Sequence, residues 1–332
     1  MIRFALFGCG RIGRVHADSI DVHPQAELAW VYDPIESAAL EVGKRYGAAT
    51  APDVDAAIDD PNVDAVVIAS ATPTHVDLLT RAARAGKAVL CEKPIDLDIA
   101  RVDRCWTEIA ALNPTVMIGF NRRFDPSFRE VRERIAAGDI GRLEQLIIVS
   151  RDPAPAPREY IAASGGLFRD MTIHDFDLAR FFLGEVVEVY ATGANVVADF
   201  IADLGDIDSA VTVLRGSDGA LCHITNIRRS VFGYDQRLEA FGSDGMLSVE
   251  NQRPTSVRLS TATQTEAAGE YLNFFLDRYT TAYRAELDHL ITAMEKGDQP
   301  SPGFSDGREA LALADAALES LKTGSTVRLG SP

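Results

Sequence analysis

The sequence predicts an α/β chain in two parts: a doubly wound parallel sheet at the N-terminus, then an α+β part with a mostly antiparallel sheet. Three observations predict this. Short apolar runs alternate with helical stretches over the first 120 residues. A strand that is apolar at nearly every position is buried on both faces, as in a parallel sheet covered by helices. A glycine cluster follows the first such run, and from 186 to 259 the pattern changes to strand runs punctuated by Gly, Ser and Asp, which reads as hairpins.

The elements follow in order. Residues 2–7 form the first strand, residues 12–20 a helix, 28–32 a strand and 36–46 a helix. DAVVIA at 64–69 is a buried strand, 75–85 a helix stopped by Gly86, and 88–91 a strand ending at Glu92-Lys93-Pro94. A helix over 98–112 and a strand over 115–119 complete this part. Beyond it, 126–137 is a helix ended by Gly138, 146–150 a strand, and the run with Pro153, Pro155 and Pro157 an irregular surface loop. A helix spans 170–183 up to Gly184, and two more cover 273–296 and 305–322. The segments 216–219 (GSDG) and 242–245 (GSDG) are hairpin turns. At 332 residues there is room for two domains, expected as 1–120 and 121–332.

Composition narrows the function. The formal net charge of −16 argues against nucleic acid or an anionic membrane, because binding there rests on Lys and Arg. It suits a soluble protein with a neutral small substrate. Cys9, Cys91, Cys105 and Cys222 form no CxxC pair or metal spacing, so reduced thiols in a cytoplasmic protein are expected. No run of about 18 apolar residues predicts a membrane span, and MIRFALFGCGRIG lacks the features of a signal peptide.

Gly8-x-Gly10-x-x-Gly13 follows a strand and opens a helix, the context in which this spacing binds a dinucleotide. The first glycine permits a tight turn, the second lets the backbone approach pyrophosphate, and the third lets helix and strand pack closely. Phosphate then sits at the helix N-terminus, which brings Arg11 and Ile12 into the site. Asp33, at the end of the second strand, is placed to accept from both ribose hydroxyls and to repel a 2′-phosphate, favouring NAD over NADP. Ser70 to His75 follows the third long strand at the same sheet edge, where Thr72 and Thr74 border the nicotinamide ribose or cap the next helix. Glu92 and Lys93 end the following strand. The cofactor-contacting candidates are thus Gly8, Gly10, Arg11, Ile12, Gly13, Asp33, Thr72, Thr74, His75, Glu92 and Lys93.

Lys93 there is positioned to hydrogen-bond a substrate hydroxyl and stabilise developing alkoxide charge. In SGGLFRDMTIHDFDLAR (164–180), Asp170, His174 and Asp177 are spaced i, i+4, i+7, one narrow stripe of a helix. A polar stripe on an otherwise apolar helix needs water or a ligand. His174 has the side chain whose ordinary pKa lies nearest neutrality. No third nitrogen or sulfur ligand is suitably spaced, so no metal is expected.

The segments GCGRIG, EKP, GFNRRFDPSF, RDPAPAP, SGGLFRDMTIHDFDLAR and GYDQRLEAFGSDG together resemble the Gfo/Idh/MocA oxidoreductase family along nearly the whole chain. GCGRIG and EKP say little about substrate, whereas DMTIHDFD and GYDQR point to the inositol branch. The resemblance implies a Rossmann domain, an α+β domain with a large open sheet, and NAD with a cyclic polyol as ligands. It implies that Lys93, Asp170 and His174 are catalytic. Asp177, Arg122 or Arg123, and Tyr234 are implied substrate contacts, and a homotetramer forms through the open sheet. The expected reaction is oxidation of a secondary hydroxyl, on myo-inositol first, with His174 as general base. Other inositol isomers and sugars remain alternatives, as do family members that hold the nicotinamide permanently or cleave glycosides. A non-catalytic NAD-binding regulator has no need of Lys93, Asp170 and His174 together.

Overall fold

A computed structural model describes residues 1–330. The chain divides into two compact units, residues 1–124 with 280–312, and residues 125–279 with the chain from 313 onward.

The first unit rests on a six-stranded sheet. In chain order its elements are β1 (Ile2–Phe7), α1 (Arg11–Asp21), β2 (Ala26–Tyr32), α2 (Glu36–Tyr46), β3 (Ala49–Thr50), α3 (Val54–Ile58), β4 (Ala65–Ile68), α4 (His75–Arg84), β5 (Ala88–Cys91), α5 (Ile99–Ile109) and β6 (Val116–Ile118). Spatial order is β3-β2-β1-β4-β5-β6, with every pairing parallel. β4 and β5 are buried at every position, as their unbroken apolar runs require, and each such side chain contributes about 1.5–3 kcal/mol. Strand order reverses at β1, which has β2 on one side and β4 on the other. The crevice beyond the carboxyl ends of these strands is where such sheets take ligands. The sequence reading missed β3 and α3, which are two and five residues long, too short to show a period. The helix Thr280–Lys296 and the first part of the helix Phe304–Thr323 also belong to this unit.

The second unit holds α6 (Pro126–Ala137), β7 (Leu143–Arg151), α7 (Arg158–Ala163), α8 (Ile173–Leu183), β8 (Val186–Ala194), α9 (Asp199–Asp203), β9 (Ser209–Gly216), β10 (Leu221–Ile227), β11 (Asp235–Gly242) and β12 (Met246–Val249). Its sheet runs β12-β11-β7-β10-β9-β8, with Val327–Arg328 outermost beside β8. Only the β7/β10 pairing is parallel; the others are antiparallel. Both GSDG segments are the expected hairpin turns, joining β9 to β10 and β11 to β12. Burial alternates along β9 and β10. One face is therefore core, and the other presents Tyr190, Val211, Val213, Leu221 and Phe241 to the outside.

Three expected elements come out differently. The proline-rich loop leads into a short helix, α7. The expected helix over 170–183 is a π-turn, Phe168–Thr172, running into α8. Asp170 and Thr172 in this turn are held by distant side chains, described below. The expected helix over 273–296 is interrupted at Tyr279. There Arg278 is ion-paired with Asp125 and the Tyr279 hydroxyl donates to Gln236 at 3.2 Å, which ties these two residues to the second unit. No helix among the described residues is long and apolar enough to cross a membrane.

Candidate active site

In the glycine loop after β1, Gly8 has φ 98°, and a Cβ there would lie 2.5 Å from the Ala69 carbonyl oxygen. At Gly13 a Cβ would stand 1.9 Å from the Gly8 carbonyl oxygen, so α1 lies directly on the loop. Gly10 is the opposite case: a Cβ would meet nothing within 4 Å. It begins α1 with no side-chain cap, and the first turn carries an exposed Arg11 and a half-buried Ile12. An uncapped helix start beside an open glycine fits a pyrophosphate.

Asp33 lies just past β2. Its Oδ2 accepts from the Cys9 N–H at 2.7 Å and its Oδ1 from the Ile35 N–H at 2.8 Å. Two main-chain donors thus hold the carboxylate beside the glycine loop and leave lone pairs for ribose hydroxyls. Burial, then the Asp33 charge, push the Cys9 thiol up to about 11. These groups together fit a dinucleotide.

At the next strand ends, the Thr74 hydroxyl donates to the Ala71 carbonyl at 2.7 Å, so the 2.6 Å contact with Ser70 must take its hydrogen from Ser70. Thr72 is half-buried in the same turn. His75 is buried, with Nδ1 2.8 Å from the Pro94 carbonyl and Nε2 3.0 Å from the Ser70 carbonyl. Burial holds its pKa down. The neutral ring therefore donates to one carbonyl, and it bridges the turn after β4 to the residue after Lys93. That geometry makes His75 a brace between the two strand ends.

Glu92 is also enclosed. His16 donates to its Oε1 at 2.8 Å, the Lys93 N–H donates to its Oε2 at 3.3 Å, and a Cβ on Gly119 would lie 3.0 Å from its carboxyl carbon. The His16 ring in turn rests edge-on against Tyr283, centroids 5.6 Å apart. Lys93 is half-buried at the end of this support. Arg122 and Arg123 are both buried. Arg123, expected as a substrate contact, sends Nη2 to Asp306 at 2.9 Å and Nη1 to the Ser301 hydroxyl at 3.4 Å.

In the second unit the segment 165–177 is set by long-range polar contacts. Gly165 and Gly166 take φ 85° and 88°, and the next N–H, Leu167, donates to Asp206 at 3.0 Å. The π-turn follows. Asp170 Oδ1 accepts from the Tyr160 hydroxyl at 2.8 Å, and its Oδ2 accepts from Arg228 Nη1 at 3.0 Å. Desolvation of its hydroxyl end, though the ring is half-exposed, and then the Asp170 charge push the Tyr160 phenol up, so it stays protonated and donates. Thr172 donates to the Asn226 side-chain oxygen at 2.9 Å, and the Asn226 amide donates to Asp175 at 2.7 Å. His174 is half-buried on α8, while Asp175 and Asp177 are enclosed. Tyr234 is buried with its ring edges against Phe274 and Tyr279.

Tyr160, Arg228, Asn226 and Asp206 were not singled out from the sequence. A signal exists for two of them. Cys222 and Ile224 face the core of β10, and a period of two continues through Asn226 to Arg228. Two polar residues on the core register of a strand need polar partners. No comparable signal marks Tyr160 or Asp206.

Comparisons with known proteins agree with this architecture. Residues 2–120 match the oxidoreductase family with an NAD-binding Rossmann fold, and residues 128–248 match the GFO/IDH/MocA C-terminal domain. The inositol 2-dehydrogenase of Rhizobium meliloti is 47% identical over 323 residues, which is 96% of this chain and 97% of that one. A crystal structure of a myo-inositol dehydrogenase from Corynebacterium glutamicum superposes with TM-score 0.97 at 52% identity, covering 100% of both chains. The scyllo-inositol dehydrogenase of Lactobacillus casei, solved with NAD(H) and scyllo-inositol, gives TM-score 0.91 at 27% identity over 99% of each chain. With a glycine loop shaped for a dinucleotide and both family halves matched, this chain belongs to the GFO/IDH/MocA family of NAD-binding oxidoreductases.

Proposed function

We propose that the protein oxidises one secondary hydroxyl of a cyclic polyol, converting myo-inositol to 2-keto-myo-inositol with reduction of one NAD. The observation that carries this reading is the turn and helix at 170–177, one short segment that holds a half-buried histidine, His174, and the buried Asp170, Asp175 and Asp177. Inositol dehydrogenases among the relatives support the substrate class, and the net charge of −16 suits an uncharged polyol.

NAD, when bound in the glycine-loop cradle, supplies the hydride acceptor at C4 of its nicotinamide. His174, neutral, takes the hydroxyl proton. Asp170 accepts from the other ring nitrogen, fixes the tautomer and stabilises the imidazolium. Lys93 donates to the reacting oxygen while negative charge develops on it. With the hydride taken up by that acceptor, the hydroxyl would give its proton to His174 and a ketone would remain. Asp177, Arg122 and Tyr234 serve the other hydroxyls, since each one buried unpaired costs about 1–3 kcal/mol. The exposed apolar face of the second sheet supports a homotetramer, and four buried free thiols support a reducing cytoplasm.

The test is a panel of inositol isomers and aldoses with NAD and NADP, following the reduced cofactor. The expected result is fastest NAD reduction with myo-inositol and little with NADP. A faster rate on scyllo-inositol, D-chiro-inositol or glucose would move the substrate but keep the reaction. No reduced cofactor with any polyol would overturn it.

A further inference from the structure

The carboxylate of Asp170 is held on both oxygens by side chains that come from far apart. Tyr160 reaches Oδ1 from α7, ten positions upstream, and Arg228 reaches Oδ2 from the residue after β10, 58 positions downstream. A protonated phenol and a guanidinium are both donors, so this cage suits only an acceptor. Arg228 is 1% exposed, and a guanidinium so deeply buried needs a second partner. Its Nη2 lies 3.8 Å from the Asp206 carboxylate, within ion-pair range but beyond a hydrogen bond. The other oxygen of Asp206 receives the Leu167 N–H at 3.0 Å, at the start of the same turn that carries Asp170. The contacts therefore close a ring from Asp170 through Arg228 and Asp206 back to the backbone before Asp170. An added Cβ at Gly166 would come within 2.9 Å of Asp206, so the ring also accounts for the second glycine of the Gly-Gly pair.

A ring of this kind fixes an angle. The turn before α8 is a π-turn, wider than α-helix, and without anchors its carboxylate has several rotamers. With both oxygens held, the carboxylate of Asp170 keeps one orientation. We infer that Arg228, braced by Asp206, and Tyr160 are positioning residues for Asp170, setting the direction from which that carboxylate supports His174 during proton transfer. The inference rests on the proposal that Asp170 and His174 work as a pair.

The test compares kcat, KM and thermal midpoint of the full-length enzyme for Arg228→Gln, Arg228→Lys and Tyr160→Phe, each alone and combined with Asp170→Asn. Arg228→Gln is expected to lower kcat roughly 10- to 100-fold, the cost of a misplaced catalytic group, with KM within about 3-fold. Arg228→Lys restores part of the loss. Tyr160→Phe, on a half-exposed ring, keeps the fold and lowers kcat roughly 3- to 10-fold, consistent with one donor lost. Once Asp170→Asn is present, neither change lowers kcat further, because coupled residues are not additive. Equal factors in both backgrounds would overturn the inference, as would a lower thermal midpoint with unchanged kcat. If Arg228→Gln fails to fold, the Tyr160→Phe pair decides alone. Wild-type kcat in Asp170→Asn by itself would instead overturn the base-pair proposal, and the positioning role with it.

Discussion

The two units build their polar sites from different materials. In the first, the cradle is mostly main chain. Gly8 and Gly13 exclude a Cβ, Gly10 leaves space, and the Cys9 and Ile35 N–H groups hold Asp33. In the second, the site is mostly side chain: Tyr160, Arg228, Asp206 and Asn226 converge on the turn that carries Asp170. A main-chain site depends on what is absent at a few neighbouring positions. A side-chain site depends on what is present at distant ones. Substitutions should therefore act through shape in the first unit and through charge and orientation in the second.

The largest expected effect is in the second unit. His174→Ala should lower turnover by about 10²–10⁴, the usual worth of a positioned general base, while NAD affinity, read by fluorescence titration, stays unchanged. Turnover at the wild-type level would remove His174 from the chemistry. Next comes a pair that tests the shape argument directly. Gly13→Ala places a methyl 1.9 Å from a carbonyl oxygen, and about 3 kcal/mol or more of stability should be lost in denaturant unfolding. Gly10→Ala points into open space, so stability should hold within about 0.5 kcal/mol while NAD binding weakens roughly 10-fold. Equal behaviour of the two variants would erase the distinction between packing glycine and ligand glycine.

Asp33→Ser should reduce the preference for NAD over NADP by roughly 10-fold or more, since the repulsion of a 2′-phosphate is removed. An unchanged ratio of kcat/KM values would put discrimination elsewhere. The smallest effect concerns the thiols. All four cysteines are buried, and burial with the Asp33 charge raises Cys9 to about 11. Because the thiolate is the nucleophile, folded protein should resist alkylation at neutral pH, and Cys9 should begin to react only as pH nears about 11. Rapid labelling of Cys9 at neutral pH would mean that the loop opens.

The same contrast explains what was legible in the sequence. The parallel sheet showed in DAVVIA and AVLC because both faces of those strands are core. The glycine loop showed because its parts are neighbours in sequence. Asp170, His174 and Asp177 stood out by residue type, but a regular helical stripe was the wrong geometry. Asp170 lies in a π-turn before α8 and is held from beyond β10, and no local pattern carries that information. Arg123 pairs with Asp306, 183 positions on, and nothing near it in sequence reveals that partner. His75 and Glu92 are buried against Pro94 and His16, partners that no local pattern announces. Placement on the fold followed from sequence; side-chain direction did not, because it is decided by distant partners.

The most direct test follows one atom. Myo-inositol carrying deuterium on the carbon to be oxidised would be turned over with NAD, and the reduced cofactor examined by mass spectrometry. Direct hydride transfer places the deuterium at C4 of the nicotinamide, one per ketone formed. Reduced cofactor without deuterium, or a ketone formed with no reduced cofactor, would contradict it.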